Sequence, residues 1–148
     1  MAGNLIFRGP IGREPESLNL PVAGAYLPGI LVTESGAALT VATAADMTEE
    51  LLVLSNIDFK DQDIATAYTS GDTGKAYRPE SGQVFQVRLA GATYAKGAPL
   101  TIGASGYLTA AGDEAVIYAY FDDTPGAYTA GDLADVRWGF GVTTAPAV

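Results

Sequence analysis

The chain has 148 residues, of which 48% are hydrophobic, so its length suits a single domain with a buried core. It contains neither cysteine nor histidine, which excludes disulfides, thiol nucleophiles, imidazole bases and the usual zinc ligands. The formal net charge of −9 opposes binding to a nucleic-acid backbone or an anionic membrane surface, so we expect neither as a partner.

Residues 1–21 differ from the rest of the chain because Pro10, Pro15 and Pro21 punctuate them. Prolines at this density prevent a helix and disfavour pairing inside a sheet. We therefore expect an extended N-terminal arm, with at most a short strand at Leu5–Phe7, that docks onto a partner or a second copy. A mobile terminus is the alternative. The candidate contact residues in this arm are Leu5, Ile6, Phe7, Arg8, Ile11 and Arg13.

Residues 22–148 show the pattern of a single β-rich domain. In Val84–Leu89, apolar residues alternate with Gln86 and Arg88, which predicts a half-buried strand. Apolar runs bounded by turn residues predict further strands at Leu51–Leu54, Val116–Phe121 and Val136–Val142.

Two parts of this domain share a sequence pattern. The stretch Gly24–Thr40 reads again at Gly91–Thr109, and each copy leads to a Tyr-Thr-x-Gly-Asp signature, Tyr68–Asp72 or Tyr128–Asp132. Glycine and aspartate recurring beside apolar runs mark the turns of one unit used twice. We therefore predict an all-β fold, a small barrel or β-sandwich, built from two similar β units with equivalent Gly-Asp turns.

One segment allows two interpretations. Thr43 and Asp46 resemble a helix-capping box, which favours a helix over Thr43–Leu52. The repeat instead aligns the second half of this segment with the strand around Val116.

Two motifs resemble ligand sites without meeting their requirements. Gly71–Ala76 contains Gly-Asp-Thr-Gly-Lys, but a phosphate-binding loop needs four residues between its glycines and a Ser or Thr after the lysine. We interpret it as a turn. Asp58, Asp61 and Asp63 lie close together without the central glycine and distal glutamate of a calcium loop, so we expect an acidic surface and no metal site.

The remaining catalytic candidates are weak. Neighbouring carboxylates, as in Asp122–Asp123 and Glu49–Glu50, point to opposite faces of a strand and make poor acid/base pairs, although a histidine-free glycosidase remains an alternative. Ser105 lacks the spacing of a nucleophile elbow and is interpreted as a turn serine. We therefore expect no enzymatic activity and no cofactor. Among the aromatic residues late in the chain, we expect Trp138 to lie in the core rather than at an interface. Because an interface position remains the alternative, Trp138 completes the set of candidate contact residues.

The second copy of the repeat carries a family resemblance. The hairpin Ala90–Leu108 follows Gly82–Phe85 and precedes Tyr128–Asp132. This order resembles the capsid decoration, or cement, proteins of tailed bacteriophages, and the resemblance spans about Leu51 to Val142. The segments 1–21 and 46–63 depart from the shorter members of that group.

The resemblance implies a small all-β protein with a β-tulip-like barrel or sandwich, which is made in the host cytoplasm and binds the outer capsid surface of the virion. There it would stabilise the head by bridging subunits of the major capsid protein, and it would associate with itself, as a trimer rather than a dimer. The arm 1–21 would add contacts to neighbouring subunits, and residues 22–148 would form the decoration domain. A tail-tube, baseplate or fibre-associated component, in some cases carbohydrate-binding, is the alternative.

Overall fold

The structure is a computed structural model that describes residues 5–43, 50–57, 60–113 and 115–142. Over these residues the chain forms thirteen strands and one short 3₁₀ turn, Ala104–Gly106. None of the helices in this part of the chain is long and apolar enough to cross a membrane. The strands are β1 (Phe7–Gly9), β2 (Ser17–Pro21), β3 (Leu31–Ser35), β4 (Ala38–Val41), β5 (Leu52–Ser55), β6 (Thr73–Tyr77), β7 (Val84–Arg88), β8 (Ala92–Tyr94), β9 (Pro99–Ile102), β10 (Leu108–Ala110), β11 (Val116–Phe121), β12 (Gly126–Tyr128) and β13 (Leu133–Val142).

These strands form two sheets with the same internal order. Unit 1, Ser17–Tyr77, is a five-stranded sheet in the order β2-β6-β5-β3-β4. Unit 2, Val84–Val142, has the corresponding order β7-β13-β11-β9-β10, and β1 lies outside β7 as a sixth strand. Strands β8 and β12 pair as a separate ribbon. The predicted all-β fold of two similar units is confirmed.

Each sheet bends until its first strand meets its last. Parallel bridges join Val22 to Leu39 in unit 1 and Leu89 to Leu108 in unit 2. In each case the amide of the next residue donates to the leucine carbonyl, at 2.9 Å for Leu39 and 2.8 Å for Leu108. The two units are therefore small barrels closed at the same place.

The repeated Gly-Asp turns are also equivalent. Gly71 and Gly131 both adopt φ 92°, a left-handed conformation that favours glycine. The carboxylate of the next residue, Asp72 or Asp132, accepts a hydrogen bond from the amide three residues earlier, at 3.3 and 2.8 Å. The prediction that these pairs occupy matching turns is confirmed. Of the segment Gly71–Ala76, which was interpreted as a turn, Gly71 and Asp72 lie in the turn, whereas β6 begins at Thr73.

Two apolar clusters form the core. The first fills unit 1, with Val32, Leu39 and Leu54 at its centre. The second fills unit 2 and continues onto the outer face of unit 1 through Leu31, Val53 and Tyr77. Because one cluster crosses both sheets, the units share a buried interface and pack as one body.

The N-terminal segment is not an extended arm in the structure. Strand β1 pairs with β7, with Phe7 opposite Phe85, and β2 is the first strand of unit 1. Pro10 and Pro15 lie in the connection between these strands, and Pro21 is the last residue of β2. The prolines therefore punctuate strands that pair within the chain, which the proline density alone does not reveal.

Two other expectations need correction. Strand β7 is buried on both faces, because Gln86 and Arg88 are also buried, whereas the alternating pattern predicted a half-buried strand. Strand β5 begins at Leu52, so a helix through Leu52 is wrong and the repeat gave the better alignment. Residues 44–49, including Asp46 and Glu49, lie outside the described residues.

Candidate binding surface

Two of the predicted contact residues pack into the protein's own core, Ile6 completely and Phe7 in part. Ile6 is 1% exposed and belongs to the core cluster of unit 2. The Phe7 ring lies 6.0 Å from that of Tyr77 and 5.5 Å from that of Phe85. Ile6 is therefore enclosed in the chain's own core and is not available to a partner. Phe7 packs against that core but stays partly exposed, so its assignment as a contact remains a prediction.

The arginines of the same segment attach it to unit 2. Arg8 Nε lies 3.4 Å from Asp135 Oδ1. Arg13 donates from Nη2 to the Ser81 carbonyl at 3.3 Å, and its own carbonyl accepts from Gln83 Nε2 at 2.8 Å. Both arginines thus have partners within the chain. From the sequence they were expected to contact a partner or a second copy.

Trp138 is a core residue. Its side chain is 2% exposed, and its ring contacts those of Phe85, Tyr118 and Phe140 at centroid distances of 6.2 to 6.4 Å. Its buried Nε1 has no hydrogen-bond partner among the described residues. The preference for a core position is confirmed, and Trp138 is not available as a contact.

Two predicted contacts do face solvent. Leu5 is 57% exposed and Ile11 is 93% exposed. They border one groove, whose other walls include Tyr77 and Lys75 of β6. We call Leu5 and Ile11 the N-terminal apolar patch. Grouped large apolar side chains of this kind are typical of interaction sites.

A second groove lies on the outer face of unit 1, across β2 and β6. Its lining residues are Ser17, Asn19, Ile57, Lys60, Thr73 and Lys75. Within the described residues neither Lys60 nor Lys75 forms an ion pair, whereas Arg8, Arg78 and Lys96 do. The groove therefore presents two ammonium groups that pair with none of the described carboxylates, on a chain that is strongly acidic overall.

The corresponding surface of unit 2 is acidic. It is lined by Arg8, Gln86, Asp123 and Asp135, among others. Burial, followed by the charge of Asp123, raises the pKa of Asp135, and the Arg8 guanidinium opposes this shift. Asp123 Oδ2 also accepts from the Asp135 amide at 2.9 Å. The two units thus carry opposite charges at equivalent places.

Arg88 is a residue whose role the sequence analysis missed. Its guanidinium donates to the carbonyls of Pro28 at 2.8 Å, Ile64 at 2.6 Å and Gly131 at 2.8 Å. Pro28 and Ile64 belong to unit 1 and Gly131 to unit 2, so one side chain joins the two. Burial lowers the pKa of Arg88. The sequence signal that could have indicated this role is the presence of a cationic residue, Arg88, inside the apolar run Val84–Leu89.

The described residues contain no group of three acidic side chains that could hold a metal ion. Asp63 accepts from the Ala65 amide at 2.7 Å and so closes a local turn, while Asp58 lies outside the described residues. Ser105, at φ 59°, is in the 3₁₀ turn, as its interpretation as a turn serine predicted.

Comparison with known proteins identifies a fold. No protein-family model matches the chain, and no curated protein matches it. Among solved structures, it is similar to the N base of head fibre gp8.5 of bacteriophage phi29, with 16% sequence identity and a TM-score of 0.52. The match covers 84% of this chain and 93% of that one. At this identity the likeness shows a shared fold.

Proposed function

We propose that this protein is a structural component of a bacteriophage virion, bound to the outside of the head. The observation that carries the proposal is the fold, which matches a phage head-fibre base over most of both chains. The hairpin Ala90–Leu108, which resembles capsid decoration proteins, supports the same location. The protein acts by binding and not by catalysis, needs no cofactor, and contacts neither nucleic acid nor membrane.

Within this proposal we favour a decoration protein that bridges subunits of the major capsid protein and assembles as a trimer. The second candidate is the base of a head fibre, which the similarity to the phi29 head-fibre base favours. The two candidates differ in what is attached to the protein, because the base of a fibre carries the rest of the fibre, whereas a decoration protein acts through its contacts with the shell alone.

The N-terminal apolar patch is our choice for the capsid contact. Leu5 and Ile11 are large, exposed and adjacent to one groove. The chain is held in place on both sides of Ile11, by the pairing of β1 with β7 and by the hydrogen bonds of Arg13, so the patch is presented with little freedom to lose on binding.

The test is co-sedimentation with purified expanded heads of the phage that encodes the protein. Wild-type protein should saturate the heads at a fixed ratio to the major capsid protein, and light scattering should give the mass of a trimer. The double variant Leu5→Ser with Ile11→Ser should bind at least about tenfold more weakly, since burying each side chain contributes roughly 1.5–3 kcal/mol and about 1.4 kcal/mol is tenfold.

The matched control is Phe140→Ser with Val142→Ser, which removes two other exposed apolar side chains at the end of β13. It should bind as the wild type does. Failure of the wild-type protein to bind heads would refute the proposed function. Equal binding by the two double variants would instead mean that the patch is the wrong surface.

A further inference from the structure

The internal duplication makes it possible to compare one edge of unit 1 with the same edge of unit 2. Asn19 lies opposite Lys75 on the strands β2 and β6, and Gln86 lies opposite Asp135 on β7 and β13. The equivalent sheet orders and bridges make Asn19 the counterpart of Gln86, and Lys75 the counterpart of Asp135.

In unit 2 this edge is filled by an extended strand. The Gln86 amide donates to the Ile6 carbonyl at 2.7 Å, and the Gln86 side chain donates to the Leu5 carbonyl at 3.0 Å. Two residues after Ile6, Arg8 forms an ion pair with Asp135. Strand β1 therefore joins β7 through its backbone and is matched to β13 by charge.

In unit 1 the same edge is free within the described residues, because β2 pairs with β6 alone. The amide of Arg78 donates to the Glu16 carbonyl, and that of Val22 donates to the Asp72 carbonyl, both at 2.8 Å. Antiparallel strands alternate the direction of their polar groups. The backbone groups of Ser17 and Asn19 consequently point away from β6, towards the free edge of the sheet.

The side chains of β2 agree with an unfilled edge. Leu18 and Leu20 are only half-buried, whereas their counterparts Phe85 and Val87 are completely buried. Asn19 retains a carboxamide at the position where Gln86 binds β1, and it is exposed. The edge thus offers backbone groups, a carboxamide and apolar surface in the arrangement that β7 presents to β1.

We propose that the β2 edge binds an extended segment of a partner polypeptide, which adds antiparallel to unit 1 as β1 adds to unit 2. Charge defines the chemistry of that segment. Where β1 places Arg8 against Asp135, the added strand would face Lys75, with Lys60 lining the same groove. The segment therefore carries an aspartate or glutamate next to an apolar residue. The inference goes beyond the proposed function and does not depend on it.

The test is a titration of isotope-labelled full-length protein, followed by the NMR signals of its backbone amides, with two capped peptides. One has the sequence of residues 5–10 of this chain, and the other carries Arg8→Glu in that sequence. The acidic peptide should shift the amide signals of Ser17 and Asn19 most strongly. It should bind about two- to fivefold more tightly than the arginine peptide at low salt, as expected for a partly exposed ion pair.

Charge reversal in the protein gives the decisive comparison. Lys75→Glu should reverse the preference between the two peptides. Lys96→Glu changes the net charge equally but lies in unit 2, paired with Asp122, and should leave the preference unchanged. Asn19→Pro should abolish binding of both peptides with an unchanged circular dichroism spectrum, because the lost N–H faces the free edge and proline is tolerated on an edge strand.

Three outcomes would overturn the proposal. The first is an equal preference in wild-type protein and in Lys75→Glu, and the second is amide shifts confined to unit 2. The third is dimerisation of the protein through β2 with no peptide binding, since a second copy would then be the occupant. None of these results bears on whether the protein binds phage heads.

Discussion

Replacing Arg88 tests whether one side chain couples the two units. Arg88→Ala removes the donors to three carbonyls, two in unit 1 and one in unit 2. Hydrogen bonds from a charged donor contribute about 1.5–3 kcal/mol each, which sums to roughly 4–9 kcal/mol. Two effects reduce this: the burial cost of the guanidinium disappears, and water enters the space to solvate the carbonyls. We expect the free energy of unfolding to fall by about 3 kcal/mol, which is at the lower end of the range measured for breaking buried charged pairs.

The side-chain series separates hydrogen bonding from packing. Arg88→Met keeps much of the apolar stem but no donor, so it should lose nearly as much stability as Arg88→Ala. Arg88→Lys retains the charge without the forked geometry, reaches fewer carbonyls, and should lose about 2 kcal/mol. For a chain of this size 1 kcal/mol shifts Tm by about 3 °C, so the alanine variant should melt roughly 10 °C lower.

The assay is urea unfolding followed by circular dichroism and by the fluorescence of Trp138, the one tryptophan of the chain. Trp138 reports on unit 2, whereas circular dichroism reports on both units. The two transitions should coincide in the wild type and separate in Arg88→Ala. The control is Arg137→Ala, an exposed arginine above the Tyr120 ring, which should cost under about 0.5 kcal/mol. A loss below about 1 kcal/mol for Arg88→Ala, or wild-type stability for Arg88→Lys, would refute the reasoning.

Two further predictions concern stability. Because the pKa of Asp135 is raised in the folded state, its charged form costs stability once the pH exceeds the unfolded value and rises through the folded one. Asp135→Asn should therefore have a higher Tm than the wild type at pH 7 and the same Tm near pH 3; a lower Tm at pH 7 would contradict the sign. Gly71→Ala and Gly131→Ala should each cost about 1–2 kcal/mol, since both sites have φ 92°. Gly112→Ala, in open space without a positive φ, should cost little. Thermal melts of the three variants would show whether the matched turns respond alike.

The parts of the fold that the sequence predicted are those that local chemistry determines. The turns at Gly71 and Gly131 require a left-handed residue followed by a capping carboxylate, and both requirements are visible as Gly-Asp. The strand Val116–Phe121 was predicted with its observed bounds, since an apolar run between turn residues is a local signal. The repeat then placed these elements in two equivalent units.

The parts that the sequence did not predict depend on distant partners. Ile6 and Phe7 have an apolar pattern that suits an outside partner or the chain's own core equally well, and the partner of β1 lies more than seventy residues away at Phe85. The three carbonyls around Arg88 come from loops, where backbone acceptors leave no trace in the residue types. The groove across β2 and β6 could not be predicted either, because it depends on which strands are neighbours in the sheet.

The position of β1 also separates the order of synthesis from the order in space. The strand leaves the ribosome before any of unit 1, but its pairing partner β7 follows only after unit 1 is complete. During that interval unit 1 can close through its own Val22–Leu39 bridge, while β1 has no β7 to pair with. Folding of the nascent chain is therefore expected to proceed from the middle outwards, and β1 then ties the later half of the polypeptide to its beginning. A bulky tag fused directly before β1 is therefore expected to disturb the packing of unit 2, although unit 1 is nearer in the sequence.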